Sequence, residues 1–256
     1  VIDSTLKTLE ILNYSGLLKT EQIYYTKNKE WKSETMKKID YIIKNGNLVQ
    51  VDNYSEDPKV DSISELTRIP EIGPAAAEKL YNKGIDSISK LIEEYSKDLK
   101  LLNVKQAVGL RYYLDLEKKI PREEMDLWNI FFQDLMKKTI NTMNKKPDSW
   151  SIEIVGSYRR KKESSGDIDI LISSNKYKNE LMKSLFDNLY LSEITNKEST
   201  FSVGPTKYMG VGKILDYFRH IDIFYFSKKE YPFALLFSTG SGNFNIEMRK
   251  HSIKKG

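Results

Sequence analysis

The chain contains no cysteine. Disulfides and thiolate metal sites are therefore excluded, which fits a reducing, intracellular setting. Histidine is nearly absent too: only His220 and His251 occur. A histidine-rich zinc site is excluded on that count. Any metal must be held mainly by carboxylates, whose hard oxygens favour Mg2+ or Mn2+. No apolar run approaches the roughly 20 residues of a membrane helix, so no membrane partner is expected. No signal peptide opens the chain. It begins at Val1 rather than Met, which points to a natural start further upstream.

What is present suits two or three small domains. The chain has 256 residues, 39% of them hydrophobic, enough to bury a core. Lys and Arg outnumber the acids 41 to 36. A solvated surface explains so modest an excess, and a nucleic-acid partner is compatible with it.

Apolar spacing separates the chain into two halves. Leu6, Leu9, Ile11 and Leu12, then Met36, Ile39, Ile42 and Ile43, recur at helical spacing, and Asn45-Gly46-Asn47 supplies a stop. Residues 52–58 are polar, end in Pro58 and read as a linker. Ile63, Leu66 and Ile69 mark a helix; Pro70-Glu71-Ile72-Gly73-Pro74 breaks it; Ala75 to Tyr81 starts another, ended by Gly84. Helical segments follow from Ile88 to Lys119. Pro121 is placed to open a long helix, with Glu123 and Glu124 in its first turn. After Lys145-Lys146-Pro147 the period becomes two. Strands are expected at Trp150–Val155, Ile168–Ile172, Tyr208–Ile214 and Arg219–Phe226, with helices near 178–189, 230–236 and 243–253. A helical front and a mixed α+β back predict a multidomain α and α+β protein.

Asp167 and Asp169 lie two apart in an apolar segment. On a strand they would share a face while Ile168 and Ile170 turn to the core. Two such carboxylates repel, and a divalent cation removes that penalty. Ile221-Asp222-Ile223 repeats the design on another strand. Three converging aspartates suit a two-metal site that activates an attacking oxygen and stabilises a leaving one. Asp-x-Asp alone is weak evidence, because most such pairs are the polar face of an ordinary strand. Gly156-Ser157-Tyr158-Arg159-Arg160 strengthens it: a turn of small residues and backbone N–H groups suits a triphosphate, and Arg160 adds a forked charge.

Gly156-Ser157, nine residues, then Asp167-Ile168-Asp169-Ile170 resembles the nucleotidyltransferase signature of the family X DNA polymerases, the beta type most closely. The likeness extends over Leu66 to Gly256, through Lys119-Ile120-Pro121-Arg122-Glu123-Glu124-Met125, Thr206–Val211, His220–Ile223, Thr239-Gly240-Ser241 and Met248-Arg249. It implies a lyase-like helical region at 1–52 and a helix-hairpin-helix domain at 53–121. A nucleotidyltransferase palm at 122–228 and a C-terminal subdomain over the nascent base pair at 229–256 would follow. The implied activity is two-metal transfer of a nucleotide from dNTP to a primer 3′-hydroxyl in short gaps of DNA, by a monomer.

The resemblance also implies roles. Asp167, Asp169 and Asp222 would hold two Mg2+ or Mn2+ ions. Ser157, Arg160, Ser165, Gly166, Phe237, Ser238, Gly240 and Asn245 would bind dNTP. Gly73, Ala75, Ala76, Lys207 and Arg249 would bind DNA. The carbonyls of Thr67, Ile69 and Ile72 would hold Na+ or K+, and Lys38 would be a lyase nucleophile. The implied setting is the nucleus or a viral or cytoplasmic replication site. Family members continue several tens of residues past the position of Gly256. Departures from the family pattern are Glu71 and Lys161 where glycine is usual, His220 where arginine is common, and Ser238 in place of the second ring of an aromatic pair. The alternatives are a template-independent nucleotidyltransferase and a DNA-binding module with a decayed active site.

Overall fold

The computed structural model of the protein describes residues 57–255. The expected helices of residues 1–52, most of the linker and Lys38 lie outside the described residues. The chain divides into two units, Val1–Ser64 and Glu65–Gly256. The described part of the first is the start of helix α1 (Pro58–Leu66). The second unit is described below.

Its front is helical: α2 (Pro74–Asn82), α3 (Ile88–Lys97) and α4 (Val104–Leu116). The expected stop at Pro70 falls where α1 has already ended, and the reason is visible in the turn. A residue before proline is pushed away from the helical region, and Glu71 adopts φ 67°. Gly73 caps α2 and Pro74 opens it. Ser87 caps α3, and Glu65 accepts a further bond from the Ile88 N–H at 2.9 Å. Asn103 and Gln106 form a capping box on α4.

The back half is built on a five-stranded sheet. Its strands are β2 (Trp150–Ile154), β4 (Ile168–Ser174), β5 (Thr200–Gly204), β6 (Lys207–Gly212) and β7 (Arg219–Tyr225). The order is β2-β4-β7-β6-β5, with β4 and β7 parallel and the other pairs antiparallel. Three helices support it: α5 (Arg122–Thr142), the single turn α6 (Gly156–Arg159) and α7 (Lys178–Leu191). Helices α8 (Tyr231–Thr239) and α9 (Gly242–Lys255) end the described chain. A small ribbon pairs β1 (Ile120–Pro121) with β3 (Ser164–Ser165).

The structure corrects two expectations. Pro121 does not open the long helix: it is extended, pairs with Ser164 and stands just before the helix that starts at Arg122. Strand β5 was not expected, because Thr200–Gly204 carries one deeply buried side chain, Phe201, and so lacks an apolar rhythm.

The two sheet faces have different fates. On one, Ile168, Ile170, Ile172, Ile221 and Ile223 pack with Trp128, Phe132 and Met136 of α5 and Leu181, Leu185 and Leu189 of α7. Each such side chain contributes about 1.5–3 kcal/mol when fully buried. On the other face, α8 covers Leu171 and Phe224 through Ala234 and Leu235. Helix α4 covers Val211, Met209 and Phe201 through Val108 and Tyr112. The sheet between those two covers is left open.

Helix α4 also holds the turn before α2. Arg68 forks onto Glu117 (2.6 and 2.7 Å), and Gly109 lies directly against the Pro70 carbonyl, where a Cβ would overlap its oxygen. Both partners there are backbone, so neither can swing aside. Gly109→Ala is expected to lower stability by about 1–3 kcal/mol, as overpacking does, in a denaturant titration; a midpoint at or above wild type would disprove this packing.

Candidate active site

The pairing register sets the centre of the open patch. Asp169 on β4 lies directly opposite Asp222 on the parallel neighbour β7. The isoleucines on either side of each aspartate are fully buried on the far face, so period two leaves both carboxylates on the open face. Asp167 differs from expectation. It precedes the strand and is exposed, whereas Asp169 and Asp222 are half-buried.

Charge accumulates here. Burial first, then Asp167 and Asp222, push the Asp169 carboxyl up to about 7. His220 Nε2 lies 3.2 Å from Asp222 Oδ1. The approach is poorly aligned for a hydrogen bond, and both atoms are buried without another partner. Burial acts to lower the imidazole pKa, but Asp222, Asp167 and Asp169 outweigh it and raise it. Among the described residues the acids do not by themselves close into a finished metal shell. Their chemistry fits a divalent cation nonetheless: three oxygen donors whose mutual repulsion a cation would relieve.

The turn that precedes β4 reaches the same place. Gly156 has φ 59°, and a Cβ there would stand 3.0 Å from Asp169 Oδ2. Glycine is required twice over, by backbone and by space. The Val155 N–H donates to the Asp169 carbonyl at 2.9 Å, fixing the turn to the strand. Ser157 Oγ donates to Ser165 Oγ at 2.8 Å. Ser165 itself is buried, so it steadies Ser157 instead of opening to solvent. Arg122 braces the turn from behind, donating to the Tyr158 carbonyl at 2.7 Å and lying over its ring.

The turn is also tied to α8, and α9 to α8 in turn. Arg159 Nη1 donates to Thr239 Oγ1 (3.0 Å) and Arg160 Nη1 to the Thr239 carbonyl (2.6 Å). Gly240 (φ 68°) lies against the Arg160 guanidinium. Asn245 Nδ2 donates to the Phe237 carbonyl (2.8 Å), and the Arg249 guanidinium sits 5.2 Å from the Phe237 ring centre. Phe237 is exposed and Ser238 half-buried. Lys207 lies opposite Phe224, hence on the carboxylate face.

The helical residues make a separate patch. Thr67, Ile69, Ile72, Gly73, Ala75 and Ala76 line the turn into α2 and do not meet the aspartates. The Ile69 carbonyl accepts from the Ile72 N–H (3.1 Å), and the Ala76 N–H donates to the Gly73 carbonyl (3.0 Å). The Ala76 N–H and the Ile69 carbonyl are thus both engaged within the turn. Glu71 and Lys161, both unusual for the family, have φ 67° and 61°. The left-handed backbone explains why glycine suits those positions.

Two features escaped the sequence reading. Lys119 Nζ stands beside Gly166, 3.6 Å from where a Cβ would be, and adds a cation to the cradle. Arg219 and Glu124 form a buried forked pair (2.8 and 2.6 Å), with Arg219 also donating to the Lys118 carbonyl (3.0 Å). The Pro-Arg-Glu-Glu segment and Arg219 next to His220 were in view, but nothing in one sequence pairs residues 95 apart. Arg219→Met strands a buried carboxylate and is expected to cost about 3–5 kcal/mol. Glu124→Leu/Arg219→Met should recover much of it, and thermal melts of the three proteins give the comparison. A double variant no more stable than the single one would refute the coupling.

Residues 64–117 match the family model of the fingers domain of DNA polymerase lambda, and residues 119–228 that of the DNA polymerase beta palm. DNA polymerase lambda of Arabidopsis thaliana is 30% identical over 232 residues, covering 85% of this chain and 41% of that protein. DNA polymerase lambda of Rattus norvegicus is 26% identical over 230 residues (86% and 37%). DNA nucleotidylexotransferase of Xenopus laevis is 24% identical over 289 residues (96% and 55%). The chain thus spans from 37% to 55% of these relatives' lengths. A fingers domain followed directly by a palm whose central strands carry the paired aspartates makes the chain a member of family X of the DNA polymerases.

Proposed function

We propose that the chain is a template-directed DNA polymerase of the repair type, which adds a nucleotide from dNTP to a primer 3′-hydroxyl in short gaps. The observation that carries this reading is the register of Asp169 opposite Asp222, with the Gly156 turn against the same carboxylate. An acid pair beside a glycine turn supports nucleotidyl transfer far better than either feature alone.

In this reading Asp167, Asp169 and Asp222 hold two divalent ions, Mg2+ or Mn2+. Such ions would lower the pKa of the attacking hydroxyl and neutralise charge on the leaving phosphate. Asp222, between His220 and the β4 acid, would hold the catalytic ion and help deprotonate the primer 3′-hydroxyl. Ser157, Arg160 and Gly166 bind the β and γ phosphates, with Lys119 as an added cation. Phe237, Ser238, Gly240 and Asn245 line the sugar and base, and Arg249 faces the template. Gly73 and Ala75 present N–H groups to a DNA phosphate, with a monovalent ion on the carbonyls of Thr67, Ile69 and Ile72. The domains divide at 53–121, 122–228 and 229–256, and the protein acts as a monomer.

A gapped primer–template with Mg2+ and single dNTPs tests the reading. Only the complementary nucleotide should be inserted, and Asp222→Ala should reduce extension at least about a thousandfold while sparing DNA binding. Insertion regardless of template would favour a terminal transferase; extension by the Asp222 variant would remove the metal assignment.

Ser238 gives a second test. With one ring missing, packing at the deoxyribose is looser, so discrimination against ribonucleotides should be weak. Ser238→Phe is expected to raise the ratio of dNTP to rNTP efficiency by about tenfold, the scale of one small packing change in a pocket. An unchanged ratio would rule the position out as a determinant.

A further inference from the structure

A second charged concavity lies at the opposite end of the two central strands. It measures about 500 Å³ and is lined by Ser174 through Lys178 and by Tyr225 and Ser227 through Lys229. Four of its residues are lysines: Lys176, Lys178, Lys228 and Lys229. They come from three places: the end of β4, the start of α7 and the segment between β7 and α8. Ser174 is five positions beyond Asp169 on β4, roughly 16 Å at about 3.3 Å per residue. The cavity is thus distinct from the cleft that holds the aspartates.

The charge is only partly spent. Lys176 pairs with Asp148 at 2.9 Å, and Lys228 donates to Ser151 Oγ at 3.2 Å, a neutral partner. Lys178 stands 5.7 Å from the Tyr225 ring centre. It acts on Glu230, whose carboxyl is held low first by Ser227 and only lastly by Lys178. Lysines 176, 178, 228 and 229 are all exposed. Asp148 pairs with Lys176 and Glu230 feels Lys178, and neither carboxylate lines the cavity.

We propose that this concavity binds the phosphodiester backbone of the DNA strand flanking the gap. Lysine is a flexible point charge that neutralises a phosphate without reading a base. Spread over three elements, such charges follow a strand. The side chains offer no guanidinium fork for base edges, so the contact would be independent of sequence. At about 3.4 Å per base pair, the distance from the aspartates corresponds to roughly five base pairs. A flank shorter than that would not reach.

The inference rests on the polymerase reading above, so the test measures DNA binding and extension separately. The whole chain is titrated with gapped DNA whose flanks are about four or about twelve base pairs long. Wild type should bind the longer DNA more tightly. Lys178→Ala/Lys229→Ala should lose about tenfold in affinity for the long DNA at 0.1 M salt, with a salt slope lower by about two. The same variant should bind and extend the short DNA as wild type does. Lys178→Arg/Lys229→Arg should restore the long-flank affinity. Unchanged affinity and slope, or equal loss on both lengths, would overturn the proposal. So would a lysine-dependent signal with inorganic tripolyphosphate alone and none with flank length. If wild type bound neither DNA, the polymerase reading itself would fall, and this one with it.

Discussion

The structure depends on two like charges held side by side. Asp169 and Asp222 face each other across parallel strands, where burial first and the neighbouring acids second push the Asp169 carboxyl up. What opposes the repulsion is the other side of the same strands. Ile168, Ile170, Ile221 and Ile223 are wholly buried. A shift of either strand by one residue would turn its two isoleucines to the open face. The apolar layer thereby fixes the carboxylates with far more free energy than their repulsion can recover.

The buried Arg219–Glu124 pair adds a second constraint to the same strand. Arg219 begins β7, three residues before Asp222, and reaches both α5 and the Lys118 carbonyl. It sets where β7 enters the sheet, while the isoleucines set its register. The Gly156 turn is fixed from three directions: by Val155 to β4, by Arg122 from behind, and by Arg159 and Arg160 to Thr239. The last pair is the only one that leaves the palm. Occupation of the turn by an anion would compete for those two guanidinium groups, so the position of α8 and the occupancy of the turn are coupled through them.

Much of this was legible in the sequence, for identifiable reasons. Strands β4 and β7 announced themselves because an acid set between buried isoleucines is a pattern with one physical reading. The long helix, the glycine turn and the hairpin before α2 were legible from caps, prolines and small residues. The misses share a cause. Strand β5, the two-residue ribbon and the Arg219–Glu124 pair are stabilised by partners far away in the chain, and local composition carries no trace of them. Pro121 was misread because proline suits both the first turn of a helix and an extended residue before it, and only the ribbon decides between them.

Glu71 and Lys161 bear on how substrate charge is handled. Each occupies a left-handed position that costs a non-glycine residue on the order of 1–2 kcal/mol, and each lies beside residues expected to meet phosphate. They act in opposite senses. Glu71 brings a carboxylate to the hairpin that should grip DNA; Lys161 brings an ammonium to the turn that should hold the triphosphate. If the hairpin and the turn meet phosphate as proposed, the two residues would shift electrostatic attraction from the fingers hairpin towards the palm. The lysine-lined cavity at the far end of β4 and β7 would fit such a redistribution, since it belongs to the same two strands that carry the aspartates.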